Sequence, residues 1–390
     1  MNRRLIAGLL FFCMAPGLGA QVRTQALWTA GEDGYATYRI PAIVVTKRDT
    51  VLAFAVGRRT LGSDWAAADI LMRRSTNGGR TFDAAQRIAG DGMDTTDNPT
   101  AIADPATGAV FVVYQQNYAR CFMIRSDDDG KSFSAPVEIT YAFDAFRPEY
   151  AWNVLAPGPG HGIVTRTGRM IVPVWMAMGK ATNPRGPRPH APSAVTTIYS
   201  DDQGKTWKHG EIVLASHGEF LNPSETDVVE LADGTIELNM RNVSSRHRRL
   251  VAMSPDGATH WSQPEFVDDL FEPVCAAGMI RYTRRGNAKG PLLFSNPDSE
   301  EFGMRKGTNK YPRKRLAVRA SYDDGKTWPY EQVLDEGTAG YSDLAVLANG
   351  KILCLYEQGR ISVKQGDPLH IVLARFPLGW VRRGKRGTGT

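Results

Sequence analysis

The chain has 390 residues, of which 42% are hydrophobic and 23% charged, as in ordinary globular proteins. This length suffices to bury a large core, and the 39 glycines and 23 prolines are typical of a fold with many turns. The formal net charge of +6 comes from two N-terminal arginines and a basic stretch at residues 382–386. Because the rest is close to neutral, composition gives little support for nucleic-acid binding.

Residues 1–20 have the pattern of a secretory signal peptide. Two arginines precede an apolar run at residues 5–15, which is too short to span a bilayer, and Gly19 and Ala20 suit cleavage. No later segment is apolar enough to form a membrane-spanning helix. We therefore expect an exported protein, either periplasmic or secreted.

Strand signals dominate the remainder of the chain. Residues 40–45 and 50–57 are apolar, β-branched runs joined across a short turn, and residues 68–74 form the next such run. The same succession of strands and Gly- or Asn-containing turns recurs at residues 227–254 and 344–376. The sequence lacks a convincing long amphipathic helix pattern, so an all-β class is predicted.

An eight-residue turn motif, Ser-x-Asp-x-Gly-x-Thr-aromatic, is repeated between these strands. In such a turn the Asp side chain accepts backbone hydrogen bonds, Gly adopts positive φ, and the aromatic ring anchors the turn by packing. A worn fifth copy at residues 254–261 has Ala258 in place of the glycine. The four clear copies lie at residues 75–82, 126–133, 200–207 and 321–328.

A unit that recurs through the chain indicates a repeat architecture. Four-stranded antiparallel units arranged radially form a β-propeller, whose blades cover one another's edges. Counting strand units predicts six blades, although periodicity alone leaves five or seven open. We predict one propeller domain at residues 21–380 and a basic flexible tail at 381–390, with long surface loops at 185–192 and 298–314.

Three cysteines remain beyond the predicted signal peptide: Cys121, Cys275 and Cys354. Their wide spacing matches neither a disulfide framework nor a zinc motif, so buried thiols are expected. No His, Cys and Asp cluster in the sequence suggests a metal, and we predict no metal or other cofactor.

Residues 38–41 (YRIP) open the first predicted blade. Together with the repeated turns, known as Asp boxes, this motif resembles the exo-α-sialidases (neuraminidases) of bacterial type. The resemblance covers residues 30–378 and implies that three arginines bind a substrate carboxylate, the first being Arg39. Asp64, in the sequence GSDW, resembles the family's general acid and base. Asp69 is the nearby alternative, although it falls within strand periodicity.

Residues 222–231 (NPSETDVVEL) resemble the stretch that carries the family's catalytic glutamate. The resemblance gives that role to Glu225. Glu230 lies within a predicted strand and is expected to be structural.

The second and third arginines follow from the same resemblance. Arg241, in the sequence NMRN, matches the second. The family pattern has the third arginine three residues before a leucine, which selects Arg313. Arg315 and Arg319 lie close enough to be alternatives.

The segment at residues 340–344 (GYSDL) resembles the family's nucleophile segment, which makes Tyr341 the predicted nucleophile. Glu357, at the end of the following strand, is the predicted carboxylate that holds Arg39 in position. His161 lies in a family-like segment between blades and is expected to be a loop or supporting residue. The aromatic candidates for an acyl-group pocket, each equally compatible with blade core, are Trp65, Trp152 and Trp175.

The resemblance implies retaining hydrolysis through a glycosyl-tyrosine intermediate. Guanidinium forks would bind the substrate carboxylate, and a neutral tyrosine would avoid the repulsion that an attacking carboxylate meets there. Glu225 would take the Tyr341 proton. Asp64 would protonate the leaving oxygen and then activate water, which requires a pKa above the usual value of about 3.9.

Sialylated glycans, glycoproteins or glycolipids are the partners implied, and the sequence does not indicate an oligomeric state. One alternative is a non-catalytic Asp-box propeller that binds glycans or protein. Others are a trans- or anhydro-forming sialidase of the same fold, and a hydrolase for a related nonulosonic acid. The complete set of site residues favours an enzyme, because a binding protein has no reason to keep Arg39, Glu225, Arg241 and Tyr341 together.

Overall fold

The computed structural model describes residues 21–181, 187–283, 290–306, 310–362 and 366–384. The predicted signal peptide lies outside these residues, as do parts of the two predicted loops and the end of the predicted tail. The described chain is all-β, as predicted. Its helical segments are short: α1 (Tyr141–Asp144), α2 (Leu378–Val381) and a 3-10 turn, Glu300–Phe302. None of the helices in these ranges is long and apolar enough to cross a membrane.

The strands, in chain order, are β1 (Arg23–Thr29), β2 (Thr37–Val45), β3 (Val51–Arg58), β4 (Ala68–Ser75), β5 (Gln86–Ala89), β6 (Thr96–Ala103), β7 (Val110–Gln116), β8 (Arg120–Ser126), β9 (Val137–Glu138), β10 (Val154–Pro157), β11 (Gly160–His161), β12 (Ile163–Val164) and β13 (Met170–Ala177). The second half of the chain forms β14 (Ser193–Ser200), β15 (Lys208–His209), β16 (Leu214–Ala215), β17 (Thr226–Glu230), β18 (Ile236–Met240), β19 (Arg248–Ser254), β20 (Glu265–Phe271), β21 (Gly278–Arg281), β22 (Leu292–Pro297), β23 (Lys314–Ser321), β24 (Tyr330–Val346), β25 (Lys351–Gln358) and β26 (His370–Pro377).

These strands form five hydrogen-bonded sheets, with antiparallel pairing except between β11 and β6. Two sheets are simple four-stranded meanders, β2-β3-β4-β5 and β17-β18-β19-β20. A third has the order β11-β6-β7-β8-β9, and a fourth is built on β10-β13-β14-β15 with β12 and β16 at its sides. The largest has seven strands in the order β1-β26-β25-β24-β23-β22-β21, so that β1 pairs with a strand from the other end of the described chain.

The sheets pack face to face, which explains why several strands are buried along their whole length. Every residue of β3 is buried. Its side chains alternate between two cores: Leu52 and Phe54 belong to one cluster, and Ala53 and Ala55 to the next. This two-residue period is the one that strand geometry dictates. Burying each large apolar side chain contributes about 1.5–3 kcal/mol to folding.

The Asp boxes share one hydrogen-bond pattern. In the copy at residues 200–207, the Ser200 hydroxyl donates to Asp202 at 2.8 Å and accepts from the Gly204 amide at 2.9 Å. The Asp202 carboxylate accepts from the amide and hydroxyl of Thr206 at 2.9 and 2.6 Å. Several hydrogen bonds lower the pKa of Asp202 to about 2, and those from Thr206 have the largest effect. The aspartate therefore serves the turn and is not free for chemistry.

The fifth box, at residues 254–261, differs from its prediction. Gly257, and not Ala258, has the positive φ of 73°, and its amide donates to the Ser254 hydroxyl at 2.9 Å. The expectation that Ala258 replaces the glycine is therefore wrong. In this box the glycine directly follows the aspartate, whereas one residue lies between these positions in the other four copies. The turn is therefore complete, although its sequence does not match the eight-residue pattern.

Other predictions concern the cysteines and the end of the domain. Cys121, Cys275 and Cys354 are buried free thiols, as predicted.

The tail was predicted to begin at residue 381. Val381 ends α2 and is fully buried, so it belongs to the packed domain rather than to a tail. The described residues extend to Gly384, whose carbonyl accepts from the Glu331 amide at 2.7 Å.

One strand of each sheet contacts its counterpart in a neighbouring sheet. β2 lies against both β6 and β24, and β21 lies against β17 as well as β24 of its own sheet. Residues of β2 and β24 and residues beside the ends of β17 and β18 meet, although they are far apart in sequence. The candidate site lies where these residues meet.

Candidate functional site

Three predicted site residues from distant parts of the chain form one hydrogen-bonded group. Tyr341 lies in β24, Glu225 directly precedes β17, and Arg241 directly follows β18. The Tyr341 hydroxyl donates to Glu225 Oε1. Arg241 Nη1 donates to Glu225 Oε2 and, at 2.8 Å, to the Tyr341 oxygen. The predicted base is thus in direct contact with the predicted nucleophile.

The Tyr341 side chain is buried among guanidinium groups, with 6% of the residue exposed. The Cζ atoms of Arg39 and Arg313 each lie 5.1 Å from the centre of its ring. Burial, followed by the charge of Glu225, raises the pKa of Tyr341, while the three arginines oppose this shift. The phenol is therefore neutral, and positive charge is at hand to stabilise its oxygen when the proton leaves.

Glu357 in β25 fixes Arg39 and Tyr341 relative to each other. Its Oε1 accepts from Arg39 Nε at 2.9 Å and from the Ile40 amide at 3.2 Å. Its Oε2 accepts from Arg39 Nη2 at 3.3 Å and from the Tyr341 amide at 3.2 Å. Burial raises the pKa of Glu357, but the Arg39 charge outweighs burial and leaves this pKa below its usual value. The position predicted for Glu357, beside Arg39, is the one observed.

Arg313 is the third arginine at Tyr341, and its two sequence neighbours lie elsewhere. Arg313 Nη2 donates to a backbone carbonyl at 2.5 Å, which leaves its fork beside the tyrosine ring. Arg315 and Arg319 instead form ion pairs with Asp298, at 3.3 and 2.7 Å. Among the three arginines considered, only Arg313 joins the group at Tyr341.

Asp64 lies in the loop before β4, and its side chain is 53% exposed. Its Oδ1 is 2.9 Å from Arg58 Nη1 and 3.8 Å from Arg39 Nη1. Burial raises the pKa of Asp64, but the charges of Arg58 and Arg39 outweigh burial and lower this pKa to about 2. The raised pKa that the acid role of Asp64 requires is therefore not found here, because Arg58 and Arg39 stabilise the charged carboxylate.

The alternative carboxylates lie away from this group. Asp69 is fully buried and binds Arg59 at 2.7 Å and the Tyr35 hydroxyl at 2.8 Å. Glu230 forms an ion pair with Arg166 at 2.9 Å. Both therefore have structural partners of their own.

Sequence reasoning missed Arg58, which is 2% exposed and joins two acids. Its Nη2 lies 3.1 Å from Asp97 Oδ2, while its Nη1 binds Asp64. Asp97 is fully buried, and burial raises its pKa in spite of Arg58. The signal was present in the sequence: an arginine ends an otherwise apolar strand, and a buried arginine requires a carboxylate partner.

Of the three tryptophans considered for an acyl-group pocket, Trp65 and Trp175 lie in a cluster of rings, while Trp152 packs in a hydrophobic core. The Tyr118 ring centre lies 4.9 Å from that of Trp65 and 6.2 Å from that of Trp175. The His190 ring is 4.7 Å from Tyr118, and burial lowers the pKa of this histidine. His190 was not predicted, since no sequence motif surrounds it.

Arg39, Asp64 and Arg313 line a cavity of about 330 Å³, whereas Tyr341, Glu225 and Arg241 are not among its lining residues. Its wall combines four cationic groups with three carboxylates, so it suits a ligand that brings an acidic group to the arginines. The charged lining residues are Arg39, Arg58, Arg313, Arg360, Asp64, Glu357 and Asp367.

Comparison with known proteins finds one matching family and several relatives that are all sialidases. Residues 41–354 match the family described as a BNR repeat-like domain. A sialidase of Micromonospora viridifaciens is 31% identical, the match covering 94% of this chain and 55% of that protein. A sialidase of Bacteroides fragilis is 29% identical, with 84% and 61% covered. The chain thus spans little more than half the length of these two relatives.

Among solved structures, a Hadza microbial sialidase, Hz136, superimposes with a TM-score of 0.73 at 26% identity. The superposition covers 92% of this chain and 69% of that one. The similarity therefore includes the whole set of sheets described above.

Proposed function

Because the chain belongs to the BNR repeat-like family and is similar to sialidases over most of its length, we propose that it is an exo-α-sialidase. It would release terminal sialic acid from glycans, glycoproteins or glycolipids with retention of configuration. One observation carries the proposal: Arg39, Arg241 and Arg313 surround a buried tyrosine whose hydroxyl donates a hydrogen bond to a carboxylate. This group combines a receptor for an acid with a nucleophile and its base.

In the proposed reaction the substrate carboxylate binds the guanidinium forks, which brings the anomeric carbon to Tyr341. Glu225 accepts the phenolic proton through the existing hydrogen bond as the oxygen attacks. Arg241 donates to both partners, so its charge stabilises the phenolate character that develops at the oxygen. A glycosyl-tyrosine forms as the bond to the leaving oxygen breaks.

Asp64 is the proposed acid for the leaving oxygen and the base for the water that follows. Its pKa of about 2 reflects Arg58 and Arg39. A substrate carboxylate bound at Arg39 would offset that positive charge and displace water from the half-exposed side chain. Both changes raise the pKa of a carboxyl group. We therefore infer that substrate binding itself prepares Asp64 to donate a proton.

A fluorogenic α-sialoside tests the activity directly. We expect the purified chain to release the fluorophore within about pH 4–8, the range in which such acid–base pairs operate. Analysis of the product would identify free sialic acid, an anhydro form or transfer to an added acceptor. Absence of turnover throughout this range contradicts the proposal and favours a glycan-binding propeller.

Arg313→Ala is expected to raise KM for the sialoside about 10- to 100-fold, because a charge-assisted hydrogen bond is worth about 1.5–3 kcal/mol. Arg315→Ala is the matched control, since Arg315 binds carboxylates away from the tyrosine. Its KM should stay within about twofold of the wild type. Steady-state kinetics of both variants decide the assignment, and a larger rise in KM for Arg315→Ala would transfer the role to that residue.

We also infer that the five sheets form six four-stranded blades of a propeller. β24 pairs with β23 from Tyr330 to Thr338 and with β25 from Ala339 to Val346. A division of β24 at Ala339 turns the seven-stranded sheet into two four-stranded units. One is β21-β22-β23 with the first half of β24, and the other is β1-β26-β25 with the second half.

Export remains a proposal that rests on the pattern of residues 1–20. The proposed substrates support it in one respect, because sialic acids cap glycans at cell surfaces and in secretions. Mass spectrometry of the protein recovered from a culture would show whether the chain begins near Gln21.

A further inference from the structure

A second cluster of ionisable side chains is buried below the reacting pair. Residues two apart in an extended strand share a face. Asp343 follows Tyr341 by two residues, and Asp227 follows Glu225 by two. His161 of β11 reaches this cluster from a third element. The activity proposed above does not assign a role to any of the three deeper residues.

Asp343 links the strands that carry the site. Its Oδ2 accepts from the Ile43 amide of β2 at 2.8 Å. Its Oδ1 lies 2.6 Å from His161 Nδ1 and accepts from the Leu344 amide at 2.8 Å. The side chains of His161 and Asp343 are 8% and 1% exposed, so water does not weaken their interaction. This carboxylate therefore ties β24 to β2 and to β11.

The charged surroundings of His161 come from several packed elements. Burial lowers the pKa of His161, but Asp343, followed by Asp227, outweighs burial and raises this pKa above its usual value. Burial also raises the pKa of Asp227, to about 8. The groups that face the cluster are Asp343 of β24, Asp227 of β17, the backbone of Met279 in β21, Arg249 of β19 at 3.4 Å from Asp227, and Glu272 at 2.7 Å from Arg249.

We propose that His161 is a positioning residue for the sialidase reaction, holding Asp343 through its Nδ1 contact so that Tyr341 and Arg39 stay aligned with Glu225. The inference rests on the proposed function. Its physical basis is that loss of the ring leaves the buried Asp343 carboxylate without its hydrogen-bond partner at Oδ1, which loosens the contact between β24 and β2. Misplacement of reacting groups by about 1 Å can lower a rate 10²-fold.

The charge on His161 also links this cluster to pH. Because its pKa is raised in the folded protein, the stability it contributes is fully present below about pH 6.5, the unfolded value. That contribution is lost as the pH rises through the raised pKa. An asparagine at this position can donate from the place of Nδ1 and does not titrate, so His161→Asn should lack this pH-dependent loss.

The test compares His161→Leu, His161→Asn and a control, His209→Leu, in which an exposed histidine of the short edge strand β15 is replaced. We expect His161→Leu to lower kcat on the fluorogenic sialoside at least ~10-fold with KM within about twofold of the wild type. His161→Asn should restore kcat to within about threefold, and His209→Leu should match the wild type. Thermal unfolding from pH 5 to 9 provides the second measurement.

The results of this test distinguish the proposed role of His161 from the proposed sialidase activity. Turnover by the wild type together with an unchanged kcat in folded His161→Leu would overturn the role of His161 and leave the sialidase activity intact. A lower Tm without any change in kcat would also overturn it, because the residue would then be only structural. If His161→Leu does not fold, a tenfold loss of kcat in folded His161→Asn contradicts the rescue expected here. An inactive wild type overturns the proposed function itself.

Discussion

Tyr341→Phe is expected to lower kcat on any sialoside at least ~10³-fold, because removal of a nucleophile disables every later step. The phenylalanine ring keeps the same volume between Arg39 and Arg313, so the arginines retain their surroundings. Affinity for an unsaturated sialic-acid analogue should therefore stay within about threefold of the wild type. Titration calorimetry and steady-state kinetics measure the two quantities separately.

A second buried tyrosine provides the control for this prediction. Tyr356 is 1% exposed, and its hydroxyl donates to Asp335 at 3.1 Å, away from the arginines. Tyr356→Phe should cost some stability and leave kcat within about twofold of the wild type. Near wild-type turnover by Tyr341→Phe would show that a different group attacks the anomeric carbon.

Asp64→Ala is expected to have the second largest effect, and its size should depend on the leaving group. On sialyllactose, whose sugar oxygen requires a proton to leave, kcat/KM should fall about 10²- to 10⁴-fold. On an aryl sialoside, whose phenol leaves without protonation, kcat/KM should fall about tenfold or less. This ratio of losses is the signature of a general acid, which a merely structural residue does not produce.

Asp69→Asn is the matched control for Asp64→Ala. Asp69 is buried and binds Arg59 and Tyr35, so its substitution should lower thermal stability. It should leave the ratio of the two kcat/KM values unchanged. A leaving-group-dependent loss in Asp69→Asn, and its absence in Asp64→Ala, would reverse the two assignments.

Motifs in the sequence were sufficient to find the residues now grouped at Tyr341. Arg39, Glu225 and Arg241 each lie in a short motif beside a strand end, so the sequence around them carries a local signal. The all-β class was equally accessible, since strand patterns and Asp boxes are local features.

Partners that come from other parts of the chain were not predictable in the same way. Arg58 contacts Asp64 and Asp97, which lie in other segments of the chain, and its charge lowers the pKa of Asp64, whereas the acid role requires a raised one. His190 reaches its ring cluster through tertiary packing alone. The glycine of the box at residues 254–261 was assigned wrongly because the hydrogen bonds of the turn tolerate a change in spacing, whereas a fixed sequence pattern does not.

The pairing of β1 with β26 has a consequence for how the molecule is made. His370 and Thr29, which approach within 3.2 Å at this junction, are 341 residues apart in the chain. Until β26 is synthesised, β1 lacks the strand with which it pairs, and its unpaired edge can associate with other chains. Closure is thus a late event with a large loop entropy to overcome. A nascent chain of this protein must be kept apart from its copies until the sheet that contains β1 and β26 is complete.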